Sequence, residues 1–338
     1  MCGVMPPDLS LEWLRAGLAL DAAQADEVRA RLAVDANDFE ARVMLLGYAS
    51  RRQQVAGVES DTFREHLLWC IAHRPRTALH ARVRPTRSSA SSTRSDVREC
   101  WQAALERFPG DIYVLTNAAF GFLHWKEFDL ALSTFERLEG LEPRNARWPA
   151  WTARLLSLHD GGTEQASLAL AEYERAYALK QPHDANPAED VLEAAHIALE
   201  LRRYGRAQEL ALDLLGLAGA RYTDGRRGSV RHDGRQMLGL IAVAQGDLAT
   251  AERERLESIR TVGSAQHNTF DPGLDLANAL LQRGRPEVVV EYLALCTRFS
   301  DPRPFRKWLV AIRAGERPKL DWLQRILNLR EAANKDGA

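Results

Sequence analysis

The sequence predicts an all-α chain built from stacked helical hairpins. Three observations carry that expectation. Apolar residues recur at helical spacing through most of the 338 residues, while strand-like alternation is almost absent. Short stretches bearing Pro, Gly, Asp or Asn punctuate the helical runs, and "FPGD", "EPRN" and "DPRP" stop or start helices because Pro lacks an amide donor and disfavours helix in the residue before it. One helical pattern also returns after 34 residues, with Pro109 and Pro143 in register.

In chain order, the periodicity predicts helices over 9–18, 22–33, 38–51, 61–73, 96–107, 112–124, 128–140, 147–158, 163–179, 188–202, 204–216, 233–245, 247–260, 271–283, 286–298, 304–313 and 319–333. The first helices (9–33) and the last pair (305–335) are expected to cap the stack. Two segments lack an apolar face and are expected to be mobile surface loops: residues 82–95, "RVRPTRSSASSTRS", and residues 220–234, "ARYTDGRRGSVRHDG". The organisation reads as repeat-like N-terminal helices over 1–60, a helix plus Ser/Arg-rich loop over 61–95, repeats over 96–300 and capping helices over 301–338.

The 34-residue shift carries Val97 onto Ala131, Trp101 onto Phe135 and Ala104 onto Leu138. The helix before the second copy, "LTNAAFGF", places Leu115, Ala118, Ala119 and Phe122 on one stripe. Small residues let paired helices approach, large ones fill the gap beside them, and Pro143 ends the pair. A single hairpin cannot bury its apolar stripe, so neighbours must stack. Looser copies follow at Ala169, Tyr173 and Ala176, then at Ala207, Ala211 and Leu214, then at Gly246 and Ala251, and at Gly284 and Val289. From Ala131 the small position steps by 38, 38, 44 and 38 residues. Upstream, Leu46, Gly47 and Tyr48 mark a further first helix. Together these residues resemble the tetratricopeptide repeat (TPR), over roughly residues 95–300. The resemblance implies an irregular TPR-like α-α superhelical solenoid of about six or seven hairpins.

Composition narrows the function classes. The chain is 46% hydrophobic and 27% charged, with a net charge of −1, so no overall field would draw it to nucleic acid or anionic lipid. Of 45 basic residues five are Lys, which leaves 45 − 5 = 40 Arg. Cys2, Cys70, Cys100 and Cys296 lie far apart, which fits a reducing compartment rather than a disulfide framework. The opening "MCGVMPPDLSLEWL" lacks a leader pattern, and no run approaches the ~18 apolar residues of a membrane span. A cytoplasmic chain with no membrane partner is the expectation.

In the TPR, the first helix of each pair lines a concave groove. The resemblance therefore places Tyr113, Asn117, Phe120 and His124 on one groove stripe, and Arg147, Trp151, Arg154 and Leu158 on the next. Aromatic rings with Arg and Asn offer flat apolar contact plus donors for a carboxylate or backbone, which is what a peptide partner needs. Asn117 and Arg147 match positions of the chaperone-binding carboxylate-clamp subset, but Trp151 replaces its arginine and no Lys-x3-Asn precedes it. The favoured reading is a non-catalytic scaffold for a peptide or protein partner, with no cofactor.

Other chemistries are weaker. His66, Cys70 and His73 share one helix face and are candidate metal ligands, beside an ordinary apolar stripe of Phe63, Leu67 and Ile71. Glu189, Glu193, His196 and Glu200 share another face, which reads as solvated, with Glu200 expected to pair with Arg203. Cys2-Gly3 matches the start of N-terminal-nucleophile amidotransferases, but no strands follow. "RNARWPAWTARLLSL" resembles one element of the prenyltransferase α-subunits, keeping Trp151 and Arg154 with Asn145 two residues out of place. An enzyme of that kind, or a zinc-dependent one, is the alternative. Nucleic-acid binding through the two Arg-rich loops is a minor one. No phosphate loop, H-E-x-x-H or G-x-S-x-G is present.

Overall fold

A computed structural model describes residues 9–56, 60–81, 83, 91–158, 162–179, 187–220, 225–259, 273–297 and 302–320. These form α-helices and one short 3₁₀ turn (Ala78–Ala81), with no strand among the described residues. The chain is all-α, and helices pack on their neighbours in sequence, as in an α-α solenoid. Its contacts divide it into two units, Met1–Leu155 and Leu156–Ala338.

In the first unit, α1 (Ser10–Ala19) and α2 (Ala22–Val34) pack on α3 (Phe39–Ala56), followed by α4 (Asp61–His73), α5 (Ser91–Arg107), α6 (Ile112–His124) and α7 (Phe128–Leu141). Helix α8 (Arg147–Ser157) begins in this unit. The starts are capped as the residue types dictate. Asp21 Oδ1 accepts the Gln24 amide at 2.8 Å while Gln24 Oε1 accepts the Asp21 amide at 3.0 Å, a reciprocal capping box. Asp111 Oδ1 accepts the Tyr113 and Val114 amides. Helices α1 and α3 cross at two glycines. A Cβ on Gly17 would stand 2.0 Å from the Met44 carbonyl oxygen, and one on Gly47 2.4 Å from that of Leu14. No side chain fits in either place.

The repeat stripes are all buried. Val97, Trp101 and Ala104 on α5, and Ala131, Phe135 and Leu138 on α7, face one core. The indole of Trp101 fills the notch left by Gly121 on α6.

The second unit holds α9 (Gly162–Leu179), α10 (Pro187–Glu200), α11 (Tyr204–Ala220), α12 (Gly225–Gln245), α13 (Leu248–Ile259), α14 (Asp275–Gln282), α15 (Pro286–Cys296) and α16 (Pro302–Arg313). Ala169, Tyr173, Ala176, Ala207, Ala211, Leu214, Ala251 and Val289 are buried at the looser repeat positions. Asn278 closes the described end of this unit, accepting the Leu320 amide at 2.8 Å and donating to the Leu320 carbonyl.

Two boundaries differ from the sequence expectation. Residues 91–95 and 225–234 are helical rather than looped, opening α5 and α12. Their Ser, Arg and Gly content hides a sparse inward face: Thr93 and Val97 on α5, Val230 and Gly234 on α12. The expected final helix over 319–333 lies almost wholly outside the described residues, as do Cys2 and Gly3. Among the described residues, no helix is long and apolar enough to cross a membrane.

Candidate partner-binding face

The residues expected to line a groove fall on α6 and α8. Asp111 fixes the start of α6, so Tyr113, Asn117, Phe120 and His124 rise along one side of it. Pro143 follows α7, and Asn145 Oδ1 accepts the Arg147 amide at 3.1 Å to start α8.

Four of the seven residues come together. Phe120 meets the edge of Trp151 at 4.8 Å between ring centroids, and Phe135 lies beneath both, 5.6 Å from Phe120 and 6.2 Å from Trp151. The Arg147 guanidinium sits over the Phe120 ring at 5.2 Å and the Trp148 ring at 5.0 Å. Arg154 sits over Trp151 at 5.0 Å. Trp151 is half-buried and Phe120 nearly covered, so the floor is apolar, and the rim of exposed Arg147 and half-buried Arg154 is cationic.

The other three take different places. Asn117 is buried, and its Nδ2 donates to the Pro75 and Thr77 carbonyls at 2.8 and 3.0 Å. It ties α6 to the segment after α4 and does not offer its amide to solvent. Tyr113 is 63% exposed, without a ring contact to the cluster. His124 is half-buried in the last turn of α6. Leu158 is exposed just after α8.

The electrostatics favour an open cation. Glu142 is the carboxylate whose field bears on Arg147, but its Oε2 accepts from Trp148 Nε1 at 2.8 Å and Asn145 Nδ2 at 2.9 Å. Among the described residues Arg147 makes no side-chain hydrogen bond or ion pair. Desolvation against the rings lowers its pKa and Glu142 opposes that, with the group staying charged.

The candidate metal ligands do not converge. His66 is buried, its Nδ1 lies 3.2 Å from Arg42 Nη1, and burial pushes its pKa down to about 4. A guanidinium at that distance opposes a bound cation. Cys70 is fully buried, and desolvation raises its thiol to about 12. His73 stacks on Trp69 at 4.5 Å and its Nδ1–H donates to the Trp69 carbonyl at 2.9 Å. No group of three or more His, Cys, Asp or Glu able to hold a metal ion occurs among the described residues. On α10, Glu193 and Glu200 are exposed, and Arg203 donates to Ser167 Oγ at 3.1 Å instead of pairing with Glu200.

Periodicity did not anticipate a second aromatic row in the first unit. Trp13 meets Phe39 at 5.6 Å, Phe39 stacks on Trp69 at 6.4 Å, and Arg74 and Arg42 lie over Phe39 and Trp69. Beside it runs a shallow depression of ≈ 560 Å³ flanked by Arg42, Arg64, Leu68 and Trp69. Trp13, Phe39 and Trp69 lie 26 and 30 positions apart on separate helices, so no local spacing links them.

No protein-family model matches the chain, and no curated protein is similar to it in sequence. Among solved structures it is similar to PilW, described as a widely conserved type IV pilus biogenesis factor. Identity is 17% and the TM-score 0.39, over 64% of this chain and 91% of that one.

Proposed function

We propose that the chain is a non-catalytic interaction scaffold that holds a peptide or protein partner on the α6–α8 face of its first unit. The observation that carries this is the Phe120–Trp151 floor under Arg147 and Arg154. An aromatic surface edged by guanidiniums is the composition of interface anchors, where Trp, Tyr and Arg dominate binding energy. Tyr113, exposed on the same helix as Phe120, extends that face, and Asn117 and His124 support it from within.

The reading is tested by removing the floor while keeping the fold. Trp151→Ala and Tyr113→Ala are introduced together, and partners captured by the wild-type and doubly substituted proteins are compared by mass spectrometry. Partners held by wild type should be lost from the variant, with far-UV circular dichroism unchanged. An identical set of partners from a folded variant would end the proposal.

A further inference from the structure

The open guanidinium of Arg147 gives the proposed face a preferred partner chemistry. Several arginines in the first unit are already answered by carboxylates. Arg31 meets Asp38, Arg42 meets Glu65, Arg64 meets Asp96, Arg76 meets Asp111 and Arg94 meets Glu127. Arg147 is exposed and makes no such pair. Two features keep it so. The Phe120 and Trp148 rings hold its plane from beneath, at 5.2 and 5.0 Å. Glu142, close enough for its charge to be felt, spends a carboxylate oxygen on the Trp148 indole and the Asn145 amide. The result is a rigid donor fork whose entropy of ordering is largely met before any partner arrives. Glu142 bears on its charge only through space, without an ion pair.

We infer, on the basis of the α6–α8 reading above, that this face selects an acidic segment of a protein partner. In that segment a side-chain carboxylate takes the Arg147 fork and an adjacent apolar side chain lies against Trp151. Charge complementarity sets the acid. The half-buried indole, with Arg154 over it at 5.0 Å, sets the apolar neighbour. A fork held on aromatic rings accepts a planar carboxylate through two parallel N–H donors, which a lysine cannot reproduce.

The test uses the whole protein and three synthetic peptides of one Leu/Phe/Gly framework, carrying glutamates, lysines or glutamines at the remaining positions. Binding is titrated calorimetrically at low and at raised salt. The glutamate peptide should bind about tenfold or more tightly than the glutamine peptide, and the lysine peptide should not bind. Arg147→Met, which keeps the stem over the rings, should remove the glutamate preference and its salt dependence. Arg147→Lys should restore only part of it. Equal affinity for the three peptides, lost in Trp151→Ala, would overturn the acidic preference and leave the α6–α8 reading standing. So would a preference that survives Arg147→Met. Absence of binding to all three would overturn the inference, and the α6–α8 reading would then stand or fall on the partner capture above.

Discussion

Arg255 on α13 is fully buried, yet among the described residues no carboxylate touches it. Its Nη1 donates to Gln236 Oε1 at 2.9 Å and the Gly273 carbonyl at 3.2 Å, its Nη2 donates to Ser258 Oγ at 2.8 Å, and its plane lies 3.5 Å from the Tyr292 ring centre. Gln236 in turn donates through Nε2 to His232 Nε2 at 3.0 Å, and His232 Nδ1–H donates to the Ser258 carbonyl at 3.2 Å. That assignment follows from the network, since the Gln236 oxygen is taken by Arg255. Removing the guanidinium strands several buried acceptors and leaves a cavity. Arg255→Ala should therefore cost about 3–5 kcal/mol of stability, read from urea denaturation. A loss below ~1 kcal/mol would show that the network contributes little. Nothing in the local spacing singles this residue out. "ERER" over 252–255 reads as a solvated run, and Arg253 is indeed exposed, but Arg255, two residues on and about 200° around the helix, turns inward. On α12, Asp233 has no hydrogen bond or ion pair among the described residues, and desolvation raises its carboxyl to about 7. The folded state thus keeps a proton that the unfolded chain releases near pH ~4. Stability from this group is complete below pH ~4 and declines as pH rises toward about 7, because the folded state binds more protons across that window. Asp233→Asn should raise Tm relative to wild type at pH 8 and lose that advantage at pH 4. An equal difference at both would refute the assignment.

Between paired helices the same turn recurs. Lys126, Arg202, Gly246 and Gly284 all have positive φ, at 61°, 56°, 85° and 74°. Each stands five positions before Ala131, Ala207, Ala251 or Val289. Each turn is closed by two amides: Lys126 to Leu123 O and Glu127 to Phe122 O in one, Gly246 to Val243 O and Asp247 to Ala242 O in another. The stepping of the small residues was legible because burial leaves a sequence trace. Half of the turns were not, since Lys126 and Arg202 occupy left-handed backbone with side chains that disfavour it. Lys126→Gly and Arg202→Gly should each stabilise by about 1 kcal/mol, offset in part by the freer unfolded chain, and the gain is measurable as a shift in denaturation midpoint. Destabilisation by either would mean that the side chain contributes more than the strain costs. The first turns of α5 and α12 are the converse case, since their composition predicts loops. Ser, Arg and Gly dominate their composition, and only packing against neighbours makes them helical. The candidate face divided in the same way. Phe120, Arg147, Trp151 and Arg154 were legible as two stripes on neighbouring helices. Asn117's bonds to Pro75 and Thr77 were not, because 40 and 42 residues separate the partners.

Across the chain, contacts are dominated by successive helices, and two units carry separate cores, one around Trp101, Phe122 and Phe135, the other around Tyr292, Leu293 and Phe305. A stack of this kind draws stability from each hairpin and its nearest neighbours, so damage stays local. Gly17→Ala makes a severe test, because the added methyl meets the Met44 backbone, not a side chain that could rotate aside. The α1–α3 crossing must open, at a cost of about 3 kcal/mol. Native-state hydrogen exchange should then quicken for amides of α1 and α3 and stay unchanged for α12 to α15. Arg255→Ala should give the mirror result, quickening α12 to α15 and sparing α3 and α6. The two effects should add in the double variant, since the sites share no partner. Uniform acceleration of all helices by either substitution would instead mean that the chain opens as one cooperative body, and that the two cores do not stand energetically apart.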